Sequence, residues 1–141
     1  MFFFRLNDMK ASAVRLKPGE DLKLSLEKFI KRHEIQAGCI LTCVGSLKNA
    51  SLRLANSENI LSKEGPFEIV SLVGTFSLNG SHLHISISDD KGMVIGGHLL
   101  EGNKIFTTAE VVILELNNHQ FTRSFDENTG FDELVIKSIK D

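Results

Sequence analysis

The sequence predicts an α+β domain, mostly antiparallel β-sheet with one main helix at about residues 20–33. Three observations carry that expectation. Apolar residues recur at helical spacing in one segment only, and nearly every other apolar segment is a short run or alternates with period two. Turns and short polar stretches separate those runs, the pattern of strands joined to their neighbours. At 141 residues, with 42% hydrophobic and 24% charged residues, the chain fits a single domain, 1–141, with a core of its own.

The elements follow in order. Residues 2–6 and 10–16 are apolar or alternating and break at Asn7-Asp8, as a β-hairpin would. Pro18-Gly19-Glu20-Asp21 then punctuates the chain, and Leu22, Leu24, Leu26, Phe29 and Ile30 give the helical stripe up to about His33. Acidic residues open this helix and Lys28, Lys31 and Arg32 close it, as the helix dipole favours. Cys39 to Val44 is a nearly continuous apolar run. Gly45-Ser46-Leu47 is expected to interrupt it before Ala50 to Leu54 resumes with alternation. Phe67 to Leu78 is long and β-prone, and Gly65-Pro66 before it suits a turn. His82 to Ser88 and Met93 to Leu99 form a hairpin. Ala109 to Leu116, Phe121 to Phe125 and Leu134 to Ile136 complete the strands.

The hairpin holds the most informative residues. In His82-Leu83-His84-Ile85-Ser86-Ile87, alternation sends both histidines to one face and the aliphatic residues to the other. A third histidine follows in Gly96-Gly97-His98. Asp89-Asp90-Lys91-Gly92 suits a three-residue loop with Gly92 left-handed, which pairs Asp89 with Met93 and therefore His84 with His98. A two-residue loop would put His98 opposite Leu83, on the core face. Opposed strand residues have Cβ atoms roughly 4.5–5.5 Å apart, so His82, His84 and His98 could converge on one metal ion. Three histidines leave a fourth position for water or a ligand, as in many catalytic zinc sites. Gly96 and Gly97 are expected to leave room beside His98. Glu68 and Glu110 are candidate bases, or a fourth ligand, if they lie near the metal. The plainer alternative is a polar sheet face shared with Ser86 and Ser88. His33 and His119 read as surface residues.

The remaining features exclude more than they assign. Cys39 and Cys43 are four residues apart on a strand, roughly 13 Å, too far for a disulfide, and read as buried free thiols. No 18-residue apolar run suggests a membrane span, and Met1-Phe2-Phe3-Phe4 is too short for a signal peptide, so a cytoplasmic location is expected. The net charge of −2 and the absence of an arginine-rich segment give electrostatics little part in binding nucleic acid.

Several motifs occur together in a familiar order. Leu16-Lys17-Pro18-Gly19-Glu20-Asp21-Leu22, Gly45-Ser46-Leu47, Leu52-Arg53, Gly65-Pro66-Phe67-Glu68-Ile69-Val70-Ser71-Leu72, His82-Leu83-His84 and Gly96-Gly97-His98 resemble the plants-and-prokaryotes-conserved (PPC) domain family. Glu110 to Ile113 and Thr129 to Leu134 fit as well, so the resemblance runs from about Ala11 to Ile136. It implies a homotrimer, and zinc on the residues matching His82, His84 and His98. It implies a partner-binding stretch around Gly65, Pro66, Phe67, Glu68 and Ile69. It also implies a DNA-binding or regulatory protein, since the domain follows AT-hook segments in plant nuclear proteins. This sequence contains no Arg-Gly-Arg-Pro hook core. A zinc enzyme acting on a small molecule and a structural interaction module are the alternatives, with the balance leaning away from an enzyme.

Overall fold

The computed structural model describes residues 9–139. These form β1 (Met9–Leu16), α1 (Leu22–Arg32), β2 (Gly38–Arg53), β3 (Ile60–Ser77), β4 (Gly80–Ser88), β5 (Val94–Leu99), β6 (Ile105–Leu116), β7 (His119–Asp126) and β8 (Phe131–Ser138). The expected class, antiparallel sheet with one helix, is the one observed. The first arm of the expected N-terminal hairpin lies outside the described residues. The second arm, β1, pairs along β6, from Met9 opposite Leu116 to Leu16 opposite Ala109.

Six strands form one antiparallel sheet in the order β1-β6-β2-β3-β4-β5, and β7 and β8 form a separate two-stranded sheet. The large sheet curls back on itself. β2 pairs with β3 along one edge and with β6 along the other, and its last residues pair with β5, Leu52 with Leu99 and Arg53 with His98. Strands β2 to β5 thus close into a small barrel, which leaves these strands few free edges.

β2 is longer than its sequence suggests. Gly45-Ser46-Leu47 does not end it; the chain passes through register shifts there and continues. At Gly45, with φ +151°, a side chain would press on the Thr108 carbonyl, so glycine lets β6 approach. The Ser46 and Thr107 hydroxyls lie 2.6 Å apart and tie the irregular stretch to β6. Gly65 and Pro66, expected in a turn, lie inside β3.

The core is filled by the inward-facing alternate residues. Leu83, Ile85 and Ile87 of β4 are buried, together with Leu47, Leu52, Leu72, Leu99 and Ile113. Each such side chain stabilises the fold by about 1.5–3 kcal/mol when fully buried. Helix α1 lays Leu22, Leu26 and Ile30, spaced four apart, onto this core. Leu24, counted in the expected stripe, is exposed because it lies on the opposite side of the helix from Leu22. Asp21 caps the helix, accepting from the Leu24 N–H through Oδ1 and from the Gly102 N–H through Oδ2, with Lys104 Nζ 3.7 Å away.

A buried polar knot lies close to the barrel's closure. Asn103 is fully buried; its Nδ2 donates to the Ser51 and Leu100 carbonyls and its Oδ1 accepts from the Ser51 N–H. Ser51 precedes Arg53 by two residues and Leu100 follows His98 by two. One side chain therefore fixes the ends of β2 and β5 against each other.

Candidate metal centre

The three histidines stand together on the outside of the barrel. His82 and His84 point outward from β4 because Leu83 and Ile85 point in. His98 reaches them from β5 because the hairpin has the three-residue loop expected from its sequence. The Asp89 N–H donates to the Met93 carbonyl, Gly92 has φ +77°, and Asp89 Oδ1 accepts from the Lys91 and Met93 N–H groups. The register that follows places His84 opposite His98.

One ring nitrogen from each histidine lies within 4.8 Å of the other two. His82 Nε2 and His84 Nε2 are 3.1 Å apart. Two nitrogens bound to one tetrahedral zinc at about 2.0–2.1 Å would be separated by about 3.3 Å, so this spacing suits a shared ion. One neutral imidazole donating to the other would account for that pair alone. It would not account for His98, whose Nδ1 is buried and has no hydrogen-bond partner. A buried ring nitrogen without a partner is costly. These donors fit a borderline metal such as zinc.

The electrostatics favour the neutral form of the His82 and His98 imidazoles. His98 is lowered to about 4, first by burial, then by Arg53 and the two neighbouring imidazoles. His82 is also lowered, first by burial, then by His84 and Arg123. Neutral imidazole is the form that binds metal.

Two clefts flank the cluster and share Arg53 and His98. One, about 390 Å³, is lined by His84, Ser71, Ser86 and Asn56 among others. The second, about 480 Å³, runs past His82 to Arg123, Asp132 and Glu133 of the β7–β8 hairpin.

Within one chain the structure does not bring Glu68 or Glu110 into the histidine cluster. Glu68 pairs with Ser88, four residues along β4 from His84 and roughly 13 Å away by the strand rise. Glu110 lies on β6 between Arg15 of β1 and Val44 of β2, away from β4 and β5. In the stretch expected to meet a partner, Gly65, Pro66 and Glu68 are exposed while Phe67 and Ile69 are core residues. Gly96 and Gly97 do line the first cleft, but they act chiefly on strand spacing. A methyl group on Gly96 would come within 2.7 Å of the Ile85 carbonyl, and one on Gly97 within 2.7 Å of the Arg53 carbonyl. Both cysteines are free thiols, Cys43 buried and Cys39 only partly so. His33 is exposed and His119, at the start of β7, is half-buried.

Arg53, given no role from sequence, sits directly beside His98. Its outward direction was readable from the alternation of Leu52-Arg53-Leu54. Its neighbour was not, because the pairing joins strands some 45 residues apart, by the difference of 98 and 53.

Comparison with known proteins agrees with this architecture. A family model, the Plants and Prokaryotes Conserved (PCC) domain, matches residues 5–117. A hypothetical protein from Salmonella cholerae-suis has a similar structure, with a TM-score of 0.90 and 40% identity, covering 92% of this chain and 94% of that one. The metal-containing protein AF0104 from Archaeoglobus fulgidus is similar with a TM-score of 0.78 and 31% identity, covering 96% of this chain and 99% of that one. The Bifunctional protein GlmU of Synechococcus sp. (strain JA-3-3Ab) is 42% identical over 132 residues, 93% of this chain; the chain spans only 21% of that protein. The AT-hook motif nuclear-localized protein 13 of Arabidopsis thaliana is 34% identical over 95 residues, 60% of this chain and 21% of that one. Among the described residues, no helix is long and apolar enough to cross a membrane.

Proposed function

This chain belongs to the Plants and Prokaryotes Conserved domain family, and on that premise we propose that it is a metal-binding regulatory protein. His82, His84 and His98 hold one zinc ion and leave a coordination position for a small ligand. The observation that carries this reading is the convergence of three imidazoles with His98 Nδ1 buried and unpartnered. The metal content of the similar Archaeoglobus protein supports it. When bound, zinc would supply a Lewis-acidic position between the two clefts. The chain's own part is to hold three imidazoles at fixed spacing, with the Gly92 loop and the Asn103 knot setting the strands.

The protein acts as a homotrimer of single domains in this reading. Exposed apolar side chains on the barrel's outer face, among them Leu41, Val44, Val70 and Val73, support burial against further copies. The exposed residues Gly65, Pro66 and Glu68 offer a contact surface for another protein.

Metal analysis of purified protein tests the proposal. It predicts about one zinc per chain, retained through dialysis, and loss of that zinc in His84→Ala and His98→Ala variants that still fold. Folded wild-type protein that takes up no zinc would refute it.

DNA association is a second reading, favoured by the relationship to AT-hook nuclear-localized proteins. It predicts a duplex-DNA mobility shift that weakens steeply with salt. Zinc-dependent catalysis is a third, favoured by the open position and the clefts beside it. Within one chain, the carboxylates that line a cleft beside the histidines are Asp132 and Glu133 of the β7–β8 hairpin.

A further inference from the structure

Arg53, His98 and His84 form a row across three strands. Arg53 pairs with His98 and His98 with His84, and side chains at paired positions stand on one face. Arg53 thus stands beside the histidine cluster by construction of the sheet. Among the described residues it makes no salt bridge; the four ion pairs present involve Lys10, Lys23 and Lys104. The cleft it shares with His84 and His98 has no acidic residue in its wall. Beyond the arginine and the histidines, the wall offers the polar groups of Asn56, Ser71 and Ser86. The cleft on the other side, which Arg53 also lines, differs, since its wall carries Asp132 and Glu133 as well as Arg123.

Among the described residues Arg53 makes no ion pair, and on the side of the first cleft it stands with imidazoles arranged for a second cation and with no acidic residue. Carboxylates and phosphates meet both needs, because one oxygen group suits a metal's open position and a second suits the planar fork of a guanidinium. A cleft of about 390 Å³ lies at the small end of ligand sites. We propose that the cleft between Arg53 and the three histidines takes a small ligand carrying two oxyanion groups, one met by the bound metal and one by Arg53. This rests on the metal-binding reading above and adds the chemical class of the ligand. Arg53 selects and orients the anion; it is not a metal ligand.

The test is titration calorimetry of malonate and, separately, inorganic phosphate into the zinc-loaded full-length chain, with zinc content measured on every sample. The expected result is malonate binding that weakens at least tenfold in Arg53→Gln and partly recovers in Arg53→Lys, with zinc content unchanged. Arg123→Gln should bind malonate like the wild type. In a cobalt-substituted sample the visible absorption should shift on adding malonate, and the shift should need higher malonate in Arg53→Gln. Tighter binding of inorganic phosphate than of malonate would show that a single oxyanion suffices and would overturn the two-group requirement. Undiminished malonate binding by folded, zinc-loaded Arg53→Gln would overturn it, as would a loss confined to Arg123→Gln. Duplex DNA displacing malonate in an Arg53-dependent way would give the arginine to nucleic acid instead. A change of oligomeric state in Arg53→Gln, without a change in anion binding, would give it to an interface between copies. Should the wild type take no zinc, the metal reading fails separately; Arg53-dependent malonate binding by metal-free protein would then keep the anion site, and its absence would remove that too.

Discussion

His84 and His98 face each other across β4 and β5 because five residues away Asp89 and Met93 close a three-residue loop. The loop, not any attraction between the imidazoles, sets which face His98 occupies. Gly92 at φ +77° makes that loop affordable, since other residues pay about 1–2 kcal/mol in the left-handed region.

Gly92→Val should therefore lower stability by about 1–2 kcal/mol and weaken metal binding, although Gly92 is remote from the imidazoles. Chemical denaturation and zinc titration together check this. Unchanged zinc affinity with the expected loss of stability would show that the histidines hold their register without the loop.

Asn103→Ala should be far more damaging than its single lost side chain suggests. It leaves the Ser51 N–H and the Leu100 carbonyl without their partner inside the barrel, at a cost of about 3 kcal/mol in total. Asn117→Ala, in an exposed turn, should cost less than about 0.5 kcal/mol. Similar losses for the two in urea denaturation would contradict the role given to the knot.

Metal-free protein should lose stability as the pH falls from 6.5 toward about 4. His98 is lowered in the folded state, first by burial and then by Arg53, so the unfolded chain binds more protons in that window. The contribution is full above 6.5 and drains away below it. His98→Gln should flatten this part of the profile. Parallel profiles for the variant and the wild type would show that His98 does not carry it.

Cys43 should be unreactive in the folded protein. Burial pushes its thiol up to about 12, and it is 4% exposed. Cys39 is partly exposed, with its thiol raised by burial, and should label slowly. Thiol titration before and after unfolding gives the count; rapid modification of two thiols in native protein would contradict this placement.

The elements were legible where local chemistry decides them. Asp21 and the Leu22, Leu26, Ile30 spacing define the helix, and the turn residues Asp89 to Gly92 define the hairpin register and thus the histidine cluster. What local pattern does not hold is closure. That β2 runs unbroken through Gly45 and returns to β5 depends on strand pairings far apart in sequence. Arg53 was visible as an outward-facing residue but not as a neighbour of His98. Glu68 and Glu110 were reasonable carboxylates by type, and only the register separates them from the histidines. Asn103 gave no local signal, because its three bonds go to backbone groups of β2 and of the loop after β5.

X-ray absorption at the zinc edge of metal-loaded protein tests the central claim most directly. Three imidazole nitrogens from His82, His84 and His98 at about 2.0–2.1 Å, with one further oxygen ligand that exchanges when malonate is added, is the predicted result. A sulfur ligand, a fourth protein ligand closing the shell, or an unchanged spectrum in folded His84→Ala would contradict it.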